Sequence, residues 1–118
     1  MHDYRKLKAW QRSHVLVLDI CKATRSFPRN ERYGLIAQLR RAAASIPINI
    51  AEGSGSGTDL NFARYLQASI ASSTELEYEI SLSRDLGYLS PERHSALEQE
   101  LGEIRGMLSA LATRLRKS

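Results

Sequence analysis

Helix-breaking residues divide this chain of 118 residues into four pieces of helix length. Proline occurs only at positions 28, 47 and 91, and glycines cluster at 53, 55 and 57. Proline lacks an amide hydrogen and glycine is costly to order, so both interrupt helices. Because no segment alternates apolar and polar residues at length, the pattern predicts an all-α, antiparallel up-and-down four-helix bundle. We expect one domain over residues 1–118, with helices at approximately 7–26, 31–52, 59–86 and 91–116.

Helix one is apolar on two faces. One face carries Leu7, Trp10, His14, Val17, Leu18 and Cys21, and the opposite face carries Ala9, Leu16, Ile20 and Ala23. A helix that is apolar on two sides is expected to be covered on both, which a lone four-helix bundle does not require. The pattern therefore favours a contact between subunits. We expect His14 and Cys21 to pack in the core rather than bind an ion, with His14 hydrogen-bonded across the bundle.

Helix two is predicted to begin after Asn30, which can cap it, and to end at Gly53 in the left-handed C′ position. Glu31 would then lie in the first turn and complement the helix dipole. Pro47 falls inside this span, and its ring would collide with the carbonyl of Ala43, so we expect a kink or break just before it. The predicted inner stripe is Leu35, Leu39, Ala43, Ile46 and Ile50.

Helices three and four have the most regular patterns. Thr58 or Asp59 can cap helix three, Ser90 can cap helix four, and Pro91 suits a first helical position. The expected inner positions are Phe62, Leu66, Ser69, Ser73, Leu76 and Ile80, followed by Leu97, Leu101, Ile104, Leu108, Leu111 and Leu115. Gly102 and Gly106 lie on the opposite face of helix four and favour a close contact there, although simple tolerance of glycine is the alternative.

Composition excludes several classes of protein. A lone cysteine, Cys21, cannot form an internal disulfide, and no apolar run approaches the ~20 residues of a membrane span. The first ten residues lack the apolar core of a secretory signal, so we expect a cytoplasmic location. Lysine and arginine number 17 against 13 acidic residues, with a net charge of +6 over residues 1–52 and −2 over residues 53–118.

No catalytic, metal or cofactor site can be assembled from the sequence. The glycine cluster lacks the preceding strand and the lysine of a phosphate-binding loop, and the histidines at 2, 14 and 94 have no metal-ligand spacing. Glu75, Glu77 and Glu79 are two residues apart, so on a helix they do not form a carboxylate pair, and we expect them to pair with Arg40 or Arg41. The chain is therefore predicted not to be an enzyme.

The remaining feature with a function is a basic surface. Its candidate nucleic-acid-binding residues are Lys8, Arg12, Lys22, Arg25, Arg29, Arg32, Arg40 and Arg41. A strip of lysine and arginine on helices one and two can neutralise phosphates and give salt-dependent binding, although solvated basic faces are also common. No exposed aromatic side chain can be assigned for base stacking from the sequence. The alternative is a protein–protein adaptor whose charge is incidental; charge reversal at Arg12 and Lys22 is expected to abolish only nucleic-acid binding.

Several motifs together resemble one family. They are Trp10-Gln11, Phe27-Pro28, Tyr33-Gly34-Leu35, Gln38-Leu39-Arg40-Arg41-Ala42, the block from Ser45 to Gly53 that reads S-I-P-x-N-I-A-E-G, Glu75-Leu76-Glu77 and Leu86-Gly87-Tyr88-Leu89. These residues are similar to the four-helix-bundle proteins encoded in intervening sequences of bacterial 23S rRNA genes. That family includes the accessory variability proteins of diversity-generating retroelements.

The resemblance implies a homopentameric barrel with a basic surface that can meet nucleic acid, and it does not imply an enzyme. We expect RNA or a nucleoprotein such as a reverse transcriptase as the partner, with no cofactor and no small-molecule substrate. Within the S-I-P-x-N-I-A-E-G block, the signature residues are Ser45, Pro47, Asn49, Glu52 and Gly53. We interpret them as architectural rather than ligand-binding, since a helix broken at Pro47 leaves backbone groups that need partners.

Overall fold

A computed structural model describes residues 3–118 of the chain. Residues 1 and 2, and with them His2, lie outside the described part. Four long helices account for most of residues 3–118, and this part contains no strand. They are α1 (Lys8–Thr24), α2 (Leu35–Ser54), α3 (Asp59–Asp85) and α4 (Pro91–Lys117). Short 3₁₀ turns at Tyr4–Lys6 and Arg29–Glu31 precede α1 and α2.

The helices pack as an up-and-down bundle. Each helix contacts the next one in the chain, and α1 also contacts α4, which closes the ring. The α1–α2 connection and the α3–α4 turn therefore lie at the same end, while Ser118 contacts Asp59 at the other end. The bundle measures 46 × 23 × 20 Å. None of the described helices combines the length and the apolar character needed to cross a bilayer.

The predicted boundaries of α3 and α4 are confirmed. The hydroxyl of Thr58 accepts a hydrogen bond from the amide of Asn61, and that of Ser90 accepts one from the amide of Arg93. Both are side-chain N-caps, and Pro91 occupies the first turn as expected.

The predicted start of α2 is wrong. Residues 29–31 form a separate 3₁₀ turn, and α2 begins only after Gly34, so Asn30 is not its cap. The carboxylate of Glu31 instead accepts a long hydrogen bond of 3.5 Å from the amide of Leu35. The connection from α1 to α2 is therefore longer than predicted and contains a 3₁₀ turn of its own.

The core contains the predicted stripes of α2 and α3 in full, and that of α4 except for the half-buried Leu111. For α1 the sequence predicted that both apolar faces are covered, whereas only one of them is buried within the bundle. The buried residues of α1 are Ala9, Ser13, Leu16, Ile20, Ala23 and Thr24. Three of them are alanine or serine, whose small side chains let α1 approach its neighbours closely.

The opposite face of α1 points outward. His14 and Leu18 are exposed, and Trp10, Val17 and Cys21 are half-buried. His14 stacks on Trp10 with ring centroids 5.2 Å apart and makes no hydrogen bond across the bundle within residues 3–118. The expectation that His14 and Cys21 pack in the core is therefore wrong.

The signature block of α2 builds its contact with α3. The helix continues through Pro47 without the predicted break. The amide nitrogen of Asn49 donates to the carbonyl of Ser45 at 2.8 Å, and the hydroxyls of Ser45 and Ser72 are 2.7 Å apart. The hydroxyl of Ser69 donates to the carbonyl of Ile46 at 2.9 Å. The polar groups around Pro47 therefore join the two helices.

The sequence predicted Gly53 as the C′ residue of helix two, and this prediction is wrong. It lies inside α2, is buried, and has no positive φ angle, and the helix ends at Ser54. A Cβ atom on Gly53 would lie 2.8 Å from the ring of Phe62, so glycine is needed here for the close approach of α3. Among the signature residues, Glu52 is exposed.

Candidate nucleic-acid interface

The eight predicted basic residues lie in separate environments rather than in one strip. Arg12 is held by α4: its guanidinium donates to Glu100 at 2.6 and 2.8 Å and to Glu103 at 2.8 Å. These hydrogen bonds raise the pKa of Arg12, and the one from Arg12 lowers the pKa of Glu103. Arg12 is thus committed to two carboxylates of its own chain.

Lys8 and Arg12 line a groove between α1 and α4 with a volume of about 490 Å³. Arg93 of α4 also lines it and was missed by the sequence analysis, which considered only helices one and two. Asp19 and Glu100 lie in the same groove, so its charge is mixed. Lys8, Arg12 and Arg93 outnumber these two acids by one, and Arg12 is already paired with Glu100, so this lining attracts a polyanion only weakly.

Lys22 is exposed on α1 and lines none of the grooves described here. Arg41 lines a polar groove of about 320 Å³ between α2 and α3, together with Gln38, Ser45 and Glu75. Glu75 offsets the charge of Arg41 there. Neither residue lies with the other arginines of the predicted strip.

Four of the predicted residues do come together. Arg25, Arg29, Arg32 and Arg40 line one cavity of about 260 Å³ with Thr24, Phe27 and Ile36, and no acidic residue lines it. We call these four residues the arginine pocket. Within the described part of the chain, Arg25, Arg29 and Arg32 form no ion pair. The pocket therefore carries uncompensated positive charge at the end of α1 and the start of α2.

Arg40 is fixed in place by α1. Its Nε donates to the hydroxyl of Thr24 at 3.0 Å, and an Nη2 hydrogen is directed at the carbonyl of Cys21 at 3.4 Å. Since a guanidinium has five N–H groups, donors remain for a ligand. The expected pairing of Arg40 with the glutamates of α3 is therefore wrong.

The turn that carries Arg29 and Arg32 is anchored to the other half of the bundle. The hydroxyl of Tyr88 donates to the carboxylate of Glu31 at 2.9 Å, and this hydrogen bond raises the pKa of Tyr88. Phe27 packs on Tyr88 with ring centroids 5.3 Å apart. Glu31 is the one acidic residue between positions 20 and 51. It is hydrogen-bonded to Tyr88 and does not line the arginine pocket.

The glutamates of α3 also depart from expectation. Glu77 pairs with Arg105 of α4 at 3.4 Å rather than with an arginine of α2. Glu79 is 5% exposed, and within residues 3–118 its Oε1 has no hydrogen-bond partner. Burial, followed by the charge of Glu75, raises the pKa of Glu79 to about 7, against an opposing effect of Arg41.

Two tyrosines are strongly exposed, which the sequence analysis did not foresee. Tyr33 is 89% exposed in the turn that follows Arg32, and Tyr78 is 68% exposed on α3. The sequence did contain a signal for the exposure of Tyr33, because this residue lies beside Gly34 in a segment without an apolar stripe. An aromatic side chain therefore adjoins the arginine pocket in the sequence.

A second surface is apolar. Its groove of about 300 Å³ lies between α1 and α2, and we call it the α1–α2 groove. Its lining consists of Tyr4, Trp10, His14, Val17, Ala44, Pro47, Ile48 and Ala51. Ile48 is half-exposed, and Val15 and Leu18 of α1 are exposed as well. This is the outward face of α1 that the sequence predicted to be covered.

The described residues contain no group of three or more histidine, cysteine or acidic side chains that could hold a metal ion. The arginine pocket has another chemistry: planar guanidinium groups bind oxyanions such as phosphate through paired hydrogen bonds.

Comparison with known proteins gives a family and a solved structure of the same fold. The family model described as "23S rRNA-intervening sequence protein" matches residues 5–110. A crystal structure of a protein of unknown function from the S23 ribosomal protein family of Bacteroides thetaiotaomicron superposes with a TM-score of 0.81 at 19% identity. The match covers 89% of this chain and 95% of that one. No curated protein sequence matches the chain.

Proposed function

Since the chain belongs to the 23S rRNA-intervening sequence protein family, we propose that it is a non-catalytic, homo-oligomeric protein of the cytoplasm that binds RNA through its basic surface. The partner is RNA itself or a nucleoprotein, such as a reverse transcriptase with its template. The arginine pocket is the main contact, and the exposed Lys22 adds a separate positive charge on α1.

The observation that supports this proposal is the absence of any acidic residue from the lining of the arginine pocket. Elsewhere in the bundle, Arg12, Arg84 and Arg105 are each neutralised by a carboxylate. Four arginines that lie together with no acidic residue among them repel one another, and a bound anion relieves that repulsion. Phosphates of nucleic acid supply such anions at regular spacing, with affinity that falls as salt rises.

The proposed assembly is a homopentamer in which a second copy covers the α1–α2 groove. Support comes from the apolar lining of the groove and from the exposed Leu18 and Ile48 around it. Repetition of the arginine pocket in each copy would raise the avidity for a long RNA. We expect light scattering to give five times the chain mass of 13.3 kDa, and Ile48→Glu to give a smaller species.

The test of RNA binding is a titration of the assembled protein with a fluorescent RNA hairpin that carries a single-stranded tail. The titration is run at about 50 mM and about 200 mM salt, and each phosphate contact is expected to steepen the slope of log affinity against log salt by about 0.7–0.9. The double variant Arg29→Glu/Arg32→Glu should bind more weakly and show a shallower slope.

The matched control is Arg114→Glu/Arg116→Glu at the far end of α4, which changes the net charge equally. If both double variants lose affinity alike, binding follows net charge and not the arginine pocket. If the native assembly binds no RNA at either salt concentration, the proposal is wrong. The protein–protein adaptor then becomes the better interpretation of the exposed apolar residues of α1.

A further inference from the structure

Tyr33 adjoins the arginine pocket along the chain, and its ring lies in solvent. It is 89% exposed, and within residues 3–118 it stacks on no other aromatic ring. It follows Arg32 directly, so the two Cα atoms are about 3.8 Å apart. A tyrosine ring that contributes nothing to the core is available to a ligand that binds at the arginine pocket.

The arginine pocket is confined and partly preorganised. Its cavity of about 260 Å³ lies between the end of α1 and the start of α2, and Arg40 is oriented by Thr24 and by the Cys21 carbonyl. A phosphate group can enter such a cavity and meet guanidinium donors from several sides.

The turn that carries Tyr33 is also held still. Glu31, two residues before Tyr33, is tied to Tyr88, and Leu35, two residues after it, is buried at the start of α2. The exposed ring is therefore presented from a short segment that is fixed on both sides. Because the backbone on both sides of Tyr33 is anchored, less backbone entropy is lost when a base stacks on its ring.

We infer that the arginine pocket and Tyr33 form a site for a single-stranded segment of nucleic acid. One phosphate lies among Arg25, Arg29, Arg32 and Arg40, and the base of an adjoining nucleotide stacks on Tyr33. Single strands offer unstacked bases to aromatic side chains, whereas a duplex keeps its bases inside. This inference rests on the proposed RNA binding and adds the form of nucleic acid that the site selects.

The experiment compares three probes with the native assembly: a single-stranded RNA, a single-stranded DNA of the same sequence, and a blunt RNA duplex of equal length. Stacking of one base on an aromatic ring contributes to binding affinity, so Tyr33→Ala should weaken single-strand binding by at least about fivefold. Duplex binding should change by less than about twofold, because the duplex has no free base to lose. Tyr33→Phe should retain the affinity of the native chain, since the ring and not the hydroxyl stacks.

Tyr78→Ala is the matched control, because it removes an exposed tyrosine from α3 and should leave all three affinities unchanged. Thermal melting of each variant verifies that the bundle is intact, as expected for exposed side chains. Single-stranded DNA should respond to Tyr33→Ala as single-stranded RNA does, since neither a phosphate nor a ring face detects the 2′-hydroxyl.

The inference fails alone if the duplex binds as tightly as the single strands and Tyr33→Ala binds every probe like the native chain. RNA binding by the basic surface would stand in that case. If none of the three probes binds at low salt, the proposed function itself fails, and the inference fails with it.

Discussion

Gly53 of α2 lies so close to Tyr65 of α3 that a Cβ atom on Gly53 would be 2.7 Å from the Cβ atom of Tyr65. We therefore expect Gly53→Ala to lower the free energy of unfolding by about 1–3 kcal/mol, because the added methyl group must push the helices apart. Gly53→Val should cost more. Urea or thermal unfolding measures the change.

Gly102→Ala is the control for Gly53, since a Cβ atom there has no neighbour within 4 Å and Gly102 is exposed on α4. It should raise the free energy of unfolding by about 0.5–1 kcal/mol, because alanine is easier to order in a helix. An unchanged melting curve for Gly53→Ala would show that α2 and α3 separate without cost. A loss of stability and of assembly in Gly102→Ala would instead place a second copy on that face.

Arg12→Ala should affect stability more than RNA affinity. Its ion pairs with Glu100 and Glu103 are part-exposed, so their loss should lower the free energy of unfolding by at most about 1 kcal/mol. Because the guanidinium is already engaged, the affinity for RNA should fall no more than in Arg116→Ala, which removes the same charge at an exposed site.

A much larger loss of affinity in Arg12→Ala than in Arg116→Ala would show that RNA displaces the two glutamates. Charge reversal at Arg12 is a poor test, because Arg12→Glu places a third carboxylate beside Glu100 and Glu103. Reversal at Lys22 alone tests the helix-one part of the basic surface without that complication, since Lys22 is exposed.

Glu79 should make the bundle less stable as pH rises. Its pKa is about 7 in the folded chain against 4.5 when unperturbed. A raised folded-state pKa adds stability that is complete below pH 4.5 and is lost as pH rises to about 7. The shift corresponds to a loss of the order of 3 kcal/mol between those limits. The free energy of unfolding, measured at about pH 5 and about pH 8, gives the contribution of the Glu79 carboxyl group.

Glu79→Gln supplies the comparison, because glutamine has the same shape and does not ionise. We expect the variant to be more stable than the native chain at about pH 8, and the difference to shrink as the medium becomes acidic. Equal stability differences at both pH values would mean that Glu79 ionises in the fold as it does in the unfolded chain.

Asn49→Ala should lower the free energy of unfolding by about 1 kcal/mol through loss of its hydrogen bonds to Ser45. It should leave RNA affinity unchanged, since Asn49 supports Ser45, whose hydroxyl contacts Ser72 of α3. Glu52→Gln, at an exposed position of the same signature block, should change neither quantity. A selective loss of RNA binding in Asn49→Ala would contradict the architectural interpretation of the block.

The helices of the second half could be predicted from the sequence because several local signals agree there. Thr58, Ser90 and Pro91 mark the starts of α3 and α4, and each helix has one dominant stripe. In α1 both faces are apolar, so periodicity alone could not choose between them. The choice is made by packing: Ala9 and Ala23 allow a close approach that Trp10 and Leu18 do not.

The candidate site was predicted as a set of residues but not as an arrangement. The partners of Arg12 come from α4, far along the chain, and no local pattern reveals them. The gathering of Arg25, Arg29 and Arg40 depends on the turn after Pro28, which the sequence analysis treated as the first turn of a helix. Exposure of Tyr33 follows from the same turn.

The hydrogen bond between Glu31 and Tyr88 has a consequence for synthesis of the chain. All four arginines of the pocket are translated within the first 40 residues, but the tyrosine that fixes their turn comes only at position 88. A nascent chain therefore exposes the arginines well before the turn between them is held. The turn that carries Arg29 and Arg32 gains this hydrogen bond only after α3 and Tyr88 have been synthesised, so the order of the pocket depends on the second helical hairpin.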